Sequence, residues 1–109
     1  MSFALAGLAH GLRAEKSVRF EAVVLVLVVA VLAIFRPEPI WWAAVALASA
    51  GVLAAELLNT AIETLADHLC PQIHPRIRVV KDCAAAAVFV SVLGALGVAA
   101  ALAVHLLRR

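Results

Sequence analysis

Residues 40–69, IWWAAVALASAGVLAAELLNTAIETLADHL, form an apolar run that continues without a break into a segment with regularly spaced polar side chains. Only Gly51 weakens a helix within this stretch, so the sequence predicts one long helix. The polar side chains of its second half follow spacings of three, four and four, at Glu56, Asn59, Glu63 and Asp67. At about 100° per residue these side chains share one stripe, and the residues between them are apolar.

The composition of the whole chain points to a lipid bilayer as the solvent of this helix. Of the 109 residues, 66% are hydrophobic and 15% are charged, and the mean hydropathy is +1.09. A soluble domain of this size cannot bury so much apolar surface. The net charge of +2 is small, and no basic tract is interleaved with aromatic residues, which argues against a nucleic-acid partner. We therefore expect a single all-α membrane domain over residues 1–109.

Two further apolar segments complete a set of three predicted membrane helices. Residues 22–35 are uncharged but short for a span of about 20 residues, and they reach that length only if Arg19 and Glu21 lie at the headgroup level. Pro37 and Pro39 then end one helix and begin the next. The predicted spans are about 18–35, about 40–69 and about 77–107.

The N-terminal segment, residues 2–17, is predicted to be an amphipathic helix on the membrane surface. Leu5, Leu8 and Leu12 recur at helical spacing, with polar residues such as His10 on another side. A frayed apolar tail is the alternative. The charges follow the apolar part instead of preceding it, which is not the order of a signal peptide, so we expect the segment to belong to the mature protein.

The distribution of basic residues predicts the orientation in the membrane. Six lie on one side of the predicted spans, namely Arg13, Lys16, Arg19, Arg76, Arg78 and Lys81. Three lie on the other side, namely Arg36, Arg108 and Arg109, and the terminal pair opposes the majority. The positive-inside rule therefore places the N-terminus in the cytoplasm and the C-terminus outside. Three helices rich in small residues make a thin bundle, so we also expect a homo-oligomer.

The polar stripe is a candidate functional site because charges at membrane depth are expensive. A carboxylate there costs at least about 2.5 kcal/mol on insertion scales and is a functional candidate by default, which applies most strongly to Glu56. For Asp67 a solvated extension of the helix is an equally good interpretation.

Oxygen ligands dominate the polar residues on the predicted inner side. Glu15, Glu63 and Asp82, together with Asn59, form an all-oxygen set that suits Mg²⁺ bound with substrate phosphates. Lys81 beside Asp82 offers a cation for phosphate, although this pair alone is also typical of an ordinary helix start.

The histidines and cysteines suggest no comparable site. His68, Cys70 and His74 are close in sequence but match no closed zinc set, because a fourth ligand is missing. Cys70 and Cys83 are expected to be free thiols. His105 is expected to be a packing residue at the far membrane interface.

Several motifs together carry a resemblance to a known family. The stretch A-E-L-L-N-T-A-I-E (55–63) is followed by Asp67, His74 and V-K-D-C-A-A-A-A-V (80–88), and G-L (7–8) and E-x-x-x-R (15–19) precede it. This arrangement is similar to the prokaryotic integral-membrane diacylglycerol kinases, a family that includes undecaprenol kinases. The resemblance extends without gaps from Gly7 into the third predicted span.

The resemblance implies a lipid kinase of the bacterial cytoplasmic (inner) membrane. It implies a homotrimer of protomers with one surface helix and three spans, whose active sites form between protomers on the cytoplasmic side. The expected reaction transfers the γ-phosphoryl group of MgATP to the primary hydroxyl of diacylglycerol, giving phosphatidic acid, with undecaprenol as the alternative acceptor. A small ion or proton transporter subunit is a more distant alternative, which the lack of polar residues other than Ser49 in 22–35 and 40–55 argues against.

The resemblance also implies roles for individual residues. Glu56 matches the general base, and Glu15 and Glu63 match acids that bind the metal. Asn59, Lys81 and Asp82 match polar residues of the catalytic site. Nucleotide contacts are implied for Glu15, Glu63, His74, Lys81 and Asp82. Lipid contacts are implied for Ser17, Arg19 and Glu56.

The sequence departs from the family pattern in three places. Ile73 stands where some relatives have an aromatic residue, so the contact with adenine is expected to differ. Val80 replaces the alanine of the A-K-D motif. The sequence lacks most of the basic N-terminal arm seen in longer members, so contacts to ATP or lipid supplied by that arm are expected to differ.

Overall fold

The computed structural model describes residues 2–109, and over that range it contains four helices and no strand. The helices are α1 (Ser2–Ala14), α2 (Lys16–Phe35), α3 (Pro39–Leu69) and α4 (Pro75–Arg108). By length and composition, α2, α3 and α4 are each apolar enough to cross a membrane. The predicted all-α architecture, a short N-terminal helix followed by three long apolar helices, is confirmed.

The boundary between the first two helices differs from the prediction. The surface helix was predicted to continue to residue 17, but α1 ends at Ala14 and α2 already begins at Lys16. Glu15 between them has an extended backbone, with φ −107° and ψ 118°. Neither glycine nor proline lies at residues 14–16, and the charged stretch from Arg13 to Arg19 does not show where one helix ends and the next begins.

The other boundaries coincide with residues that restrict the backbone. Pro39 and Pro75 occupy the first turns of α3 and α4, where a missing N–H costs nothing. α2 ends at Arg36, whose φ of 47° lies in the left-handed region, and the Arg36 N–H donates to the Leu32 carbonyl at 2.8 Å. The chain therefore reverses direction within residues 36–38.

The C-terminal end of α4 lies beside this reversal. His105, predicted to be a packing residue, stacks on Trp41 with ring centroids 5.2 Å apart, and its Nε2 is 3.2 Å from Glu38 Oε2. Arg109 donates to the Phe35 carbonyl. The chain thus runs up α2, down α3 and up α4, so α1 and the loop 70–74 lie at the opposite end from the C-terminus.

The bundle has a small core and a large apolar surface. Leu32, Val45 and Leu102 form a buried cluster that joins α2, α3 and α4. α1 packs on α3 at Gly11, where a Cβ atom would lie only 2.8 Å from Leu57 Cδ2. Many other large apolar side chains are exposed, which suits a surface in contact with lipid or further copies of the chain.

Candidate active site

An apolar groove of about 470 Å³ runs between α2, α3 and α4. Valine, leucine and alanine side chains form most of its lining. At the end nearest α1 the lining includes Ser17 and Glu21 from α2 and Glu56 from α3. The groove is thus apolar along the predicted membrane region and has two carboxyl groups at one end.

Glu21 and Glu56 each have one carboxyl oxygen, Oε2, that is buried and has no hydrogen-bond partner within residues 2–109. Buried polar atoms normally have a partner, and the two carboxyl groups approach closely enough to share a proton between them, so a donor that enters the groove would compete with that contact. A hydroxyl group in the groove would provide that donor. Sequence reasoning placed Glu21 at the headgroup level and missed it as a site residue. The position of Glu21 at the start of a predicted span could have identified it, because ionisable groups in spans are functional candidates.

Asn59 and Glu63 form the next part of the stripe, toward the loop end of α3. Asn59 Nδ2 donates to Glu63 Oε1 at 3.3 Å across one helical turn. Asn59 Oδ1 is buried and has no partner in the described part of the chain, while Glu63 is exposed. The amide therefore orients the carboxylate, and its own oxygen is left without a partner. Two oxygen donors of this kind suit Mg²⁺, which takes one or two protein ligands and completes its shell with phosphates and water.

Asp67, the last member of the stripe, pairs with Lys81. The Lys81 ammonium donates to Asp67 Oδ1, so the pair links the end of α3 to the beginning of α4. Asp82 follows on α4 and is exposed. The solvated-extension interpretation of Asp67 is therefore incomplete, since its carboxylate has a specific partner from another helix.

His74 ends the loop and serves as the N-cap of α4. Its Nδ1 accepts the backbone N–H of Arg76 at 3.1 Å. An imidazole that accepts at Nδ1 carries its hydrogen at Nε2 when neutral. His74 thus has a defined tautomer, in which Nε2–H is a donor for a ligand such as a nucleotide.

Arg19 is bonded to the end of α1. Its guanidinium donates to the Leu12 carbonyl at 3.2 Å and to the Arg13 carbonyl at 2.7 Å. These carbonyls lie in the last turn of α1, where a cation is favourable. The side chain therefore braces the corner around Glu15, while Ser17 lines the groove beside Glu21.

Glu15 lies apart from Glu63 within one chain. Gly11 of α1 packs against Leu57 of α3. Phe3 and Gly7, which come earlier in α1, line a second apolar cavity of about 710 Å³ together with α3 residues as far along as His68. α1 therefore runs antiparallel to this part of α3, and Glu15 lies toward the Leu57 end. Glu63 is six residues beyond Leu57, roughly 9 Å along the axis. Accordingly, no three His, Cys, Asp or Glu side chains among residues 2–109 cluster to hold a metal.

The fold and the site define a small three-span membrane protein with a polar stripe beside an apolar groove. A model of the family described as prokaryotic diacylglycerol kinase matches residues 2–103. A curated diacylglycerol kinase from Synechocystis sp. is 33% identical over 94 residues, which cover 85% of this chain and 54% of that protein. The chain spans about half the length of that relative. It belongs to the prokaryotic diacylglycerol kinase family.

Proposed function

We propose that the protein is a lipid kinase that transfers the γ-phosphoryl group of MgATP to the primary hydroxyl of diacylglycerol, giving phosphatidic acid. Undecaprenol is the alternative acceptor. The observation that carries this proposal is the position of Glu56. Its carboxyl group lies beside that of Glu21 at the end of an apolar groove, and the polar stripe of the same helix continues from it toward the loop end. An amphiphilic alcohol has the matching distribution of apolar chain and hydroxyl group.

In the proposed reaction, the groove holds the acyl chains and Glu56 accepts a hydrogen bond from the lipid hydroxyl. The hydroxyl oxygen attacks the γ-phosphorus, and its proton passes to the Glu56 carboxylate. The bond between the γ-phosphorus and the oxygen bridging it to the β-phosphate breaks, and ADP leaves with that oxygen and its electron pair. Phosphoryl transfer of this kind depends mainly on positioning and charge neutralisation. Ser17 and Glu21 line the same end of the groove and would flank the hydroxyl there.

The nucleotide contacts the polar residues further along α3 and on α4. Glu63 and Asn59 would hold the Mg²⁺ that accompanies ATP, and the bound ion would neutralise charge on the phosphates. Lys81 and the Nε2–H of His74 are donors to phosphate or nucleotide, and Asp82 lies beside them. Glu56 and Glu63 are seven residues apart, about 10 Å along the axis, a span that the reacting phosphate and the two side chains can bridge.

Glu15 and Arg19 have a less direct part in this proposal. Glu15 is at the α1–α2 corner, and a contact with the nucleotide or its metal requires the phosphates or a second chain to approach that corner. Arg19 holds the end of α1, so its effect on the lipid is exerted through the position of α1. The thin bundle and its exposed apolar side chains support a homotrimer in which neighbouring chains complete the site.

We assign the site to the cytoplasmic face of the inner membrane. The six basic residues of residues 1–19 and 76–81 lie at the same end of the bundle as the polar stripe, which supports this orientation. ATP is available on that side of the membrane.

The test is phosphorylation of defined lipids by purified protein in mixed micelles with MgATP. Diacylglycerol and undecaprenol are supplied in parallel, and the phosphorylated lipid is quantified. Glu56→Gln should reduce phosphorylation more than about a hundredfold, as expected for loss of a general base. Glu38→Gln, at the opposite end of the bundle, should retain wild-type activity. Near-normal activity of Glu56→Gln, or no phosphorylation of either lipid by the wild type, would refute the proposal.

A further inference from the structure

Asp67 and Lys81 form a contact between α3 and α4 at the loop end of the polar stripe. Asp67 lies one helical turn beyond Glu63, and Lys81 lies beside Asp82 on the other helix. The Glu63 carboxylate also attracts the Lys81 ammonium. The ammonium therefore contacts Asp67 and is within electrostatic range of Glu63, whose oxygens are assigned to the nucleotide metal.

The exposure of this pair argues against a mainly structural role. The Lys81 side chain is 39% exposed and the Asp67 side chain is 63% exposed. Ion pairs this accessible to solvent contribute little to stability, because water screens them and two flexible side chains must be ordered. Glu38, whose side chain is 62% exposed, makes a polar contact with His105 at the other end of the bundle and so provides a control of similar exposure.

We propose that Asp67 is a positioning residue that holds the Lys81 ammonium at the end of the polar stripe for contact with the phosphates of ATP. This inference rests on the proposed kinase function. A lysine ammonium has three N–H donors, so one donated to Asp67 leaves two for phosphate oxygens. The lysine side chain is long and flexible, and an acidic partner that restricts it lowers the ordering cost when the nucleotide binds.

The pairing itself can be tested without any enzymatic activity. Lys16 and Lys81 are the two lysines of the chain, so Lys16 serves as an internal reference. Purified protein in micelles is treated briefly with an amine-acetylating reagent, and mass spectrometry gives the acetylation rate of Lys81 relative to Lys16. Asp67→Asn should raise this ratio several-fold, and Glu38→Gln should leave it unchanged. An unchanged ratio in Asp67→Asn overturns the pairing.

The positioning role is tested by a double-mutant cycle on the kinetics with MgATP and diacylglycerol. Asp67→Asn should lower kcat/KM for ATP about tenfold in the wild-type background. In the Lys81→Ala background the loss should be less than about twofold, because the ammonium that Asp67 positions is already absent. KM for the lipid should not change, and Asp67→Glu should restore part of the loss. An equal loss in both backgrounds overturns the inference, since a merely structural residue would behave that way.

Failure of the proposed function has a different signature. If the wild type phosphorylates neither lipid, the kinase proposal fails, and with it the role assigned to Asp67, whatever the acetylation ratio shows. If the wild type is active and the cycle is additive, only the positioning inference fails. Glu38→Gln, which removes an equally exposed acidic partner far from the stripe, should match the wild type in the kinetics.

Discussion

Replacing Gly11 by valine tests the contact that holds α1 on α3. A Cβ atom at this position would lie 2.8 Å from Leu57 Cδ2, and at 3.8 and 3.9 Å from the two Cγ atoms of Val18. The first distance is well inside van der Waals contact, and the additional methyl groups of valine worsen the clash. Gly7 on the same helix is the matched control, because a Cβ there has no neighbour within 4 Å.

The magnitude follows from comparing the two valine variants. Both change the helix propensity of α1 in the same way, so the difference between them is the steric cost alone. Overpacking of a close contact costs typically 1–3 kcal/mol, and because the contacted atom is the end of the half-buried Leu57 side chain, which can rotate away, we take about 1 kcal/mol for Gly11→Val. At about 1.4 kcal/mol per factor of ten, α1 should open roughly fivefold more often than in Gly7→Val.

Hydrogen–deuterium exchange of the α1 amides in micelles measures this opening directly. We expect exchange of the α1 amides in Gly11→Val to be faster by that factor, with the amides in the middle of α4 unaffected. Leu57→Ala removes the atom that causes the clash, so adding it to Gly11→Val should restore most of the protection. Equal exchange in the two valine variants, or no recovery with Leu57→Ala, would show that α1 does not dock on α3 at this point.

Three further perturbations address other features of the chain. Arg19→Ala removes two hydrogen bonds to the last turn of α1 and should destabilise the α1–α2 corner by about 1.5 kcal/mol, seen as about tenfold faster exchange at residues 12–16, with Arg19→Lys intermediate. Arg36→Gly relieves a left-handed backbone and should stabilise the bundle by about 1 kcal/mol in thermal unfolding, whereas Arg36→Val should destabilise it. Chelation of Mg²⁺ should abolish lipid phosphorylation, and Glu63→Gln should raise the Mg²⁺ concentration needed for half-maximal activity at least about tenfold. A normal Mg²⁺ requirement in Glu63→Gln would remove that residue from the metal site.

The parts of the structure that depend on local sequence were predictable. Helical periodicity alone brings Asn59 and Glu63 within one turn of each other, and the observed hydrogen bond follows from that spacing. Pro39 and Pro75 mark the starts of α3 and α4, because proline is accepted only in the first turn of a helix.

The parts that depend on contacts between helices were not predictable. Asp67 and Lys81 are 14 residues apart and meet only because α3 and α4 pack with a particular register. The approach of Glu21 to Glu56 likewise depends on the rotation of α2 about its own axis, on which the apolar sequence of that helix places little constraint. The resemblance to a known family supplied the roles of single residues, but the pairings between them come from the structure.

The side chains of the polar stripe lie in different surroundings on successive turns of α3. Glu56 borders an apolar groove beside Glu21, where a hydroxyl donor that enters the groove would reach its buried oxygen. Glu63 is exposed and already oriented by Asn59, which suits a ligand that arrives from water with its own metal and phosphates. Asp67 is more than half exposed and binds a cation from the next helix. A single α-helix achieves this because its axis carries successive turns, at about 5.4 Å each, from the apolar region toward water while keeping their side chains on one face. Under the proposed function, the spacing of three, four and four brings a lipid hydroxyl and a phosphate donor to the same face of α3, one from the membrane and the other from water.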